Sequence, residues 1–280
     1  MKRSCPIGVF DSGYGGLTVL EKIRKHLPEY DYIYFGDNAR TPYGTRSYEV
    51  VYQYTLECVK KLFDLGCELV ILACNTASAK ALRSIQQRDL PLISDHHRVL
   101  GVIRPTVEQI GHFTQTQHVG LLGTQGTVQS GSYDIEIAKY YPQITLHSEA
   151  CPMWVPLIEN GEADGDGADY FVKQHLTRLL QQDTRIDCII LGCTHYPLLL
   201  PKIEKYAPAH VRFLTQGDIV AQSLADYLQR HPELEQHCSR GGNCCYYTTE
   251  SVEKFHASAR LFLQEELDVH HLDLGHKKDI

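Results

Sequence analysis

The stretch IILGCTHYPLL, residues 189–199, runs from apolar residues directly into a cysteine, which a threonine, a histidine and a proline follow. An earlier stretch, LVILACNTASA at residues 69–79, has the same form. Each apolar run has the length of a strand buried on both faces of a parallel sheet. The two stretches therefore predict two strands that present Cys74 and Cys193 at their carboxyl ends, and we expect these cysteines to face each other.

Outward from these stretches, strands alternate with helices, a pattern typical of parallel sheets built from βαβ units. Strands are predicted in PIGVF, YDYIYFGD and CELVILAC, and helices in LTVLEKIRKHL, residues 48–63 and SAKALRSIQQR. The pattern then restarts with HVGLLGT and ends with DCIILGC. GVFDSGYGG from Gly8 and GLLGTQGT from Gly120 are separated by nearly the same spacing as the two cysteines, which indicates an internal repeat.

The repeat predicts an α/β fold of two pseudo-symmetric parallel-sheet domains with the active site in the cleft between them. We assign residues 1–98 and 210–280 to the first domain and residues 99–209 to the second. The stretches HVRFLTQGDIVAQSLADYL and FHASARLFLQEEL predict a strand and two helices that pack back on the first domain.

Composition excludes several classes of protein. The 280 residues are 43% hydrophobic and 22% charged, as in globular proteins, and the formal charge of −7 provides no basic surface for nucleic acid. The start of the chain, MKRSCPIGVFDSG, lacks the apolar core of a signal peptide, and no window approaches the roughly 18 apolar residues of a membrane span. We therefore expect a cytoplasmic protein that binds neither nucleic acid nor membrane.

Ten cysteines is a high count, but no Cys-x-x-Cys motif indicates a zinc ribbon or a redox site. Without an export signal, most are expected to be reduced apolar residues. A metal site at Cys238, Cys244 and Cys245, with His231 and His237 nearby, is the open alternative, although its ligand spacing is irregular. We predict no metal and no cofactor.

Ligands of open α/β sheets bind outside the carboxyl ends of the strands. Polar residues follow four of the predicted strands, at Asp11–Ser12, Cys74–Thr76, Gly123–Thr124 and Cys193–His195. A thiol has an unperturbed pKa of roughly 8.5, which suits it to proton transfer near neutral pH. Two opposed thiols can remove a proton from one face of a carbon and deliver one to the other face, which inverts that carbon.

Six stretches together resemble the glutamate racemases of the cofactor-independent aspartate/glutamate racemase superfamily: GVFDSGYGGLTVL, YFGDNARTPYGTRS, LVILACNTASA, GLLGTQGTVQSGSY, ACPMWVPLIENGE and IILGCTHYPLLLPKI. The tail CCYYTTESVEKF is similar to the C-terminal strand and helix of that family. The resemblance implies conversion of L-glutamate to D-glutamate for peptidoglycan synthesis, without a cofactor, in a homodimer. Aspartate racemase is the closest alternative, although CTHYPLL and PYG favour glutamate.

The resemblance also implies roles for individual residues. Cys74 and Cys193 match the two catalytic cysteines, of which the first acts on the D-enantiomer and the second on the L-enantiomer. Asp11 and His195 match side chains that assist proton transfer, and Glu159 matches a further acidic residue that assists.

The matched substrate-binding residues share hydroxyl, amide or backbone groups that can hold carboxylates and an ammonium: Asp11, Ser12, Pro42, Tyr43, Gly44, Asn75, Thr76, Thr124, Thr127 and Thr194. Helices that begin after DSG, CNT and CTH would aim their positive dipole ends into the cleft. We expect this field to lower the pKa of a thiol there.

Simpler roles remain open for four of these positions. Asp11 can cap the following helix, and His195 can be a hydrogen-bonded partner that transfers no proton. Glu159 lies in a glycine-rich and acidic stretch typical of a surface, and residues 42–44 can form an ordinary turn.

Two alternatives to a racemase are a dinucleotide-binding oxidoreductase and a non-enzymatic thiol sensor or metal-binding protein. GYGGLT supplies two glycines of a dinucleotide-binding motif, with Asp37 where a ribose-binding acid could stand, but Thr18 occupies the third glycine position. A non-enzymatic thiol sensor or metal-binding protein would explain the cysteine count, but not the paired strand ends.

The chain departs from the family pattern at one place. Where the family carries GVIEPG, this sequence reads GVIRPTVEQI, with Arg104 and Thr106 at altered positions. The change falls at an edge of the domain interface or dimer contact. Because only a short segment precedes VFDSG, the resemblance also leads us to expect no activation by a cell-wall precursor.

Overall fold

The computed structural model describes residues 5–263 and 266–275. Ten strands lie in this part of the chain: β1 Ile7–Asp11, β2 Tyr32–Gly36, β3 Leu69–Leu72, β4 Arg98–Gly101, β5 His118–Gly123, β6 Thr145–Ala150, β7 Cys188–Gly192, β8 Arg212–Leu214, β9 Cys244–Thr248 and β10 Val269–His271.

The α-helices in the same part of the chain are α1 Leu17–His26, α2 Tyr48–Asp64, α3 Asn75–Lys80, α4 Leu82–Ser84, α5 Leu90–Ile93, α6 Ile103–Gln109, α7 Gln125–Gln129, α8 Ser132–Tyr140, α9 Trp154–Glu159, α10 Asp166–Gln182, α11 Leu200–Tyr206, α12 Gly217–Arg230, α13 Pro232–Glu235 and α14 Val252–Ala259. Short 3₁₀ turns cover Asn38–Arg40, Ile110–His112 and Tyr196–Leu199, and a π-helical turn covers Ile85–Asp89.

The strands form two parallel sheets. The larger sheet has the order β10-β9-β2-β1-β3-β4 and the smaller has the order β6-β5-β7-β8. The order β2-β1-β3-β4 in the first sheet matches β6-β5-β7-β8 in the second. The structure thus confirms the predicted two-sheet α/β class, and it places Cys74 and Cys193 after equivalent strands, β3 and β7.

Burial on both faces explains the continuous apolar runs of the central strands. In β1, Ile7 and Val9 pack into the core on one side of the sheet, while Phe10 packs into the core on the other side. In β5, Leu121 and Leu122 divide in the same way between the two cores of the second sheet. Helices cover both faces of each sheet, as parallel sheets require.

The pairing of two strands differs from the predicted division of the chain. β4 pairs with β3 in the first sheet, although most of it lies beyond residue 98. β8 pairs with β7 in the second sheet, so the stretch HVRFLT does not return to the first unit as predicted. The two-domain division remains our interpretation, and these pairings move its boundaries to the ends of β4 and β8.

The rest of the C-terminal segment returns to the first sheet. α12 packs on α1, and β9 pairs with β2. The helix predicted in FHASARLFLQEEL is α14, which ends at Ala259; residues 264 and 265 of that stretch lie outside the described residues, as do residues 1–4 and 276–280.

Three strands, β4, β6 and β10, were not anticipated.

Within residues 5–263 and 266–275, no helix combines the length and the apolar character needed to cross a bilayer.

Candidate active site

Cys74 lies directly after β3 and caps α3. Its sulfur accepts a hydrogen bond from the backbone N–H of Ala77 at 3.4 Å and lies 3.3 Å from Oγ of Ser12, which follows β1. Only 6% of Cys74 is exposed. β1 and β3 are neighbours at the point where the strand order reverses, which is where ligands of open α/β sheets bind.

Burial raises the pKa of the Cys74 thiol to about 12, and the nearby charge of Asp11 adds to the effect. Hydrogen bonds from Ser12 and Ala77 act in the opposite direction but do not outweigh burial. For Cys74, our expectation of a lowered thiol pKa is therefore wrong, because desolvation exceeds the effect of a six-residue helix. Cys74 carries its proton at neutral pH.

Cys193 follows β7 and has a different partner. Its sulfur lies 3.8 Å from Nδ1 of His195, and Nε2 of His195 lies 2.9 Å from a carboxylate oxygen of Glu159 at the end of α9. His195 is buried and the Glu159 side chain is 20% exposed. Glu159 is therefore part of this chain of contacts rather than of the surface.

The imidazole of His195 holds a proton in this arrangement. Burial acts to lower its pKa, but the hydrogen bonds with Cys193 and Glu159 outweigh burial and raise the pKa to about 10. A positively charged imidazolium thus lies beside the Cys193 sulfur and stabilises negative charge on it. The two thiols differ in surroundings although they follow equivalent strands.

Asp11 is fully buried at the end of β1. One of its oxygens, Oδ2, accepts a hydrogen bond from the backbone N–H of Gly13 at 2.9 Å. Asp11 does not cap the following helix, because α1 begins at Leu17 and no side chain in the described part of the chain caps it. The other oxygen, Oδ1, has no hydrogen-bond partner among the described residues. Burial raises the pKa of Asp11, while the charge of His195 acts against that rise. Asp11 therefore interacts electrostatically with both cysteine motifs.

The loop between β1 and α1 touches both motifs closely. A Cβ atom at Gly15 would lie 2.3 Å from both Nδ1 of His195 and Oγ1 of Thr194. The hydroxyl of Thr18 donates a hydrogen bond to the backbone oxygen of Thr194 at 2.9 Å. Since Ser12 of the same loop contacts Cys74, the loop touches both cysteine motifs at the cleft between the two units.

Three hydroxyls from the two units meet in this cleft. Oγ1 of Thr76 lies 2.9 Å from Oγ1 of Thr124 and 3.3 Å from Oγ1 of Thr127. Thr124 also caps α7 by accepting a hydrogen bond from the backbone N–H of Thr127. The hydroxyls bond to one another, so a carboxylate could accept these hydrogen bonds in their place.

The loop at residues 42–44 is held from both sides. The hydroxyl of Tyr43 donates a short hydrogen bond to Asp37, and the carbonyl of Gly44 accepts one from the N–H of Gly126 at 2.7 Å. The peptide bond before Pro42 is cis. With its hydroxyl bound to Asp37, Tyr43 can offer its backbone to a ligand.

The contacts of Asp37 argue against the dinucleotide-binding alternative, in which this residue would bind a ribose. Asp37 is buried and accepts further hydrogen bonds from Arg40 at 2.7 Å and Thr249 at 2.9 Å. Its carboxylate therefore supports the loop and is not presented to a ribose.

Gln216 is a contributor to the site that sequence reasoning missed. Its amide nitrogen lies 3.2 Å from Oδ1 of Asn75, 2.9 Å from Oγ1 of Thr106 and 3.0 Å from the hydroxyl of Tyr133. That hydroxyl also donates to Oδ1 of Asn75 at 2.8 Å. These four buried side chains form the Gln216 network, which connects α3 of the first unit to α8 of the second.

The network also accounts for one of the altered family positions. Thr106 belongs to it, whereas Arg104 is exposed on α6 and pairs with Glu108 at 2.9 Å. Thr106 therefore acts at the contact between the two units.

The alternative metal site does not assemble. Among residues 5–263 and 266–275, the side chains of Cys238, Cys244, Cys245, His231 and His237 supply no group of three ligand atoms within 4.8 Å of one another. The sulfur of Cys238 instead lies 3.7 Å from the carbonyl of Leu234.

Comparison with known proteins shows the family of this chain. A family profile described as Asp/Glu/hydantoin racemase matches residues 7–224, which contain both cysteine motifs. The chain belongs to this racemase family. A curated relative, the glutamate racemase of Ruegeria sp. (strain TM1040), is 40% identical over 271 residues, covering 93% of this chain and 97% of the relative.

Two solved structures of glutamate racemases share the fold of this chain. The glutamate racemase isoform RacE1 from Bacillus anthracis has a TM-score of 0.88 and 35% identity, covering 99% of this chain and 100% of that chain. Glutamate racemase from Francisella tularensis subsp. tularensis SCHU S4, solved in complex with D-glutamate, has a TM-score of 0.86 and 32% identity, covering 97% of this chain and 98% of that chain.

The close approach at Gly15 predicts a specific loss of stability in this racemase. In Gly15→Ala, the added methyl group must displace Thr194 and His195, and overpacking of this kind costs about 1–3 kcal/mol. Urea unfolding measures the change. The matched control is Gly167→Ala within α10, where the nearest atom to the new Cβ is 3.9 Å away. The control should be neutral or more stable by about 0.5–1 kcal/mol, and equal stability of the two variants would contradict the close approach.

Proposed function

We propose that the protein interconverts L-glutamate and D-glutamate by a two-thiol mechanism that uses only groups of the protein, and that it supplies D-glutamate for peptidoglycan synthesis. The observation that carries the proposal is the pair of cysteines at equivalent strand ends, joined by one loop but with different partners. The names of the full-length relatives support glutamate as the substrate.

In the direction from L- to D-glutamate, Cys193 acts as the base. Its thiolate, stabilised by the His195 imidazolium, removes the proton from Cα, and the electron pair is delocalised onto the neighbouring carboxylate. The Cys74 thiol then donates its proton to the opposite face of Cα. The raised pKa of Cys74 supports this assignment, because the residue carries a proton to give.

After this transfer Cys193 is a thiol and Cys74 is a thiolate. Ser12 and the N–H of Ala77, which both contact the Cys74 sulfur, stabilise the new charge. The reverse reaction uses Cys74 as the base and Cys193 as the acid. Glu159 acts through His195 and is a positioning residue in this scheme.

Polar groups around the thiols are suited to hold the substrate. We assign the substrate ammonium to Oδ1 of Asp11, the buried oxygen without a partner among the described residues. We assign a carboxylate to the hydroxyls of Thr76, Thr124 and Thr127. Ser12, Thr194, residues 42–44 and the backbone of Asn75 complete the proposed set, since the amide of Asn75 belongs to the Gln216 network.

Two further parts of the proposal concern assembly and location. We propose a homodimer on the resemblance, and we propose a cytoplasmic location because all ten cysteines are free thiols.

Solvent isotope tests whether two groups act on opposite faces. L-Glutamate is incubated with the enzyme in deuterium oxide, and each enantiomer is analysed by mass spectrometry at early conversion. The D-product should carry deuterium at Cα almost completely, because the donating thiol has exchanged with solvent. The remaining L-glutamate should be mostly unlabelled. Substantial protium in the D-product would point to a single base and overturn the two-thiol scheme.

Replacement of either thiol tests the residues themselves. Cys74→Ser and Cys193→Ser should each lower kcat for racemisation by at least about 10²–10⁴-fold, since a hydroxyl is a far weaker base near neutral pH. Circular dichroism follows the reaction. Cys245→Ser, on β9 in the first sheet, is the control and should retain full activity. If Cys245→Ser were as inactive as the other two variants, the assignment would be wrong.

The pH profile tests the link between Glu159 and His195. The imidazolium is present below its pKa of about 10 and is lost above it, so kcat/KM should fall on the alkaline side near that value. In Glu159→Gln the stabilising charge is removed, the pKa of His195 falls, and the alkaline limb should move to lower pH. Glu162→Gln, in the loop just after α9, should leave the limb in place. An alkaline limb that stays in place in Glu159→Gln would exclude His195 as the group that sets it.

A further inference from the structure

Three ligating side chains meet at the amino end of the second sheet, away from the cleft. His118 is the first residue of β5, His147 is the third residue of β6, and Asp183 follows α10. β5 enters the cleft only at its other end, after five further residues, a distance of roughly 17 Å along the strand. We call this group the His118–His147–Asp183 cluster.

The sheet register brings the two histidines to one face. His147 pairs with Gly120, two residues after His118, and side chains two residues apart on a strand point to the same side. The imidazole rings lie 6.1 Å apart at an interplanar angle of 26°. α10 packs against β6 and delivers Asp183 to the same place.

The ligand atoms are spaced as they would be around one ion. Oδ2 of Asp183 lies 3.1 Å from Nδ1 of His118 and 3.4 Å from Nε2 of His147. In a tetrahedral zinc site with bonds of about 2.0–2.1 Å, neighbouring ligand atoms are about 3.3 Å apart. All three atoms lie within 4.8 Å of one another.

The two nitrogens are buried and unsatisfied. Neither Nδ1 of His118 nor Nε2 of His147 makes a hydrogen bond with the described residues, although both lie near Oδ2 of Asp183. Buried polar atoms without partners are uncommon and costly. A cation shared by the three atoms would satisfy both nitrogens at once.

We propose that His118, His147 and Asp183 bind a divalent transition-metal ion of the zinc class, with water as a further ligand. Imidazole nitrogen and carboxylate oxygen are ligands that suit such ions. The side chains are 14%, 18% and 10% exposed, which leaves access for the ion and for water. The ion would tie α10 to β5 and β6 and stabilise the second unit, independently of the proposed racemase activity.

Arg185 competes for the same carboxylate. Its guanidinium donates hydrogen bonds to both oxygens of Asp183, at 3.0 Å and 2.7 Å. The Arg185 side chain is 66% exposed, so it can withdraw into solvent when the ion binds. Removal of a ligand, as in His147→Gln, should therefore weaken binding of the ion, and removal of the competing guanidinium, as in Arg185→Ala, should strengthen it.

Calorimetric titration with Zn²⁺ tests the proposal on the full chain, after dialysis against chelator and alkylation of accessible thiols. The wild-type protein should bind one equivalent. His147→Gln should weaken this binding by more than the roughly 10–100-fold that loss of an outer-sphere partner costs. His237→Gln is the matched control, because His237 contacts the single carboxylate of Glu68 at 2.8 Å. Its affinity should be unchanged.

The absence of one-equivalent binding, or equal binding by the two histidine variants, would overturn the site. Arg185→Ala retains all three ligands and should bind Zn²⁺ several-fold more tightly, which keeps the test decisive if His147→Gln does not fold. Unchanged or weaker affinity in Arg185→Ala would exclude Asp183 as a ligand. With Co²⁺ in place of Zn²⁺, a thiolate charge-transfer band would identify cysteine ligation and contradict the proposal.

Discussion

The Gln216 network holds the two sheets in the relative position on which the cleft depends. Gln216 and Tyr133 bind Asn75, the residue directly after Cys74, and Thr106 completes the contact. Because all four side chains are buried, separation of the units would break several hydrogen bonds at once, and a buried polar group left without its partner costs about 1–3 kcal/mol. The network therefore fixes where the strand end that carries Cys74 lies with respect to the second unit.

Within that frame, two equivalent strand ends acquire different chemistry. Cys74 lies near the carboxylate of Asp11 and among groups that only partly offset its burial, so it is held as a thiol. Cys193 lies beside an imidazole that Glu159 keeps charged. Pseudo-symmetry of the fold supplies two equivalent strand ends, and unlike neighbours give the two thiols different surroundings. In the proposed mechanism, this difference is what lets one thiol donate a proton to the substrate carbon while the other removes one.

The sequence predicted the local elements well where a strand is buried on both faces, because such a strand is apolar throughout. β1, β3, β5 and β7 were all anticipated for this reason. β6 was missed because TLHSEA is a partly exposed edge strand without an apolar run. β8 was anticipated as a strand but assigned to the wrong sheet, since three residues carry no information about which neighbour they pair with. Gln216 was missed because a glutamine before a helix gives no local signal of its distant partners.

By itself, the sequence determined the fold class, the repeat and the two strand-end thiols, because hydrophobic period and chain order are local properties. The resemblance of its motifs added expectations about the residues around those thiols. Only the tertiary structure decided the protonation of the site, since the pKa values of Cys74 and His195 depend on burial and on neighbours remote in sequence. The same holds for the His118–His147–Asp183 cluster, whose members come together only through strand register and helix packing.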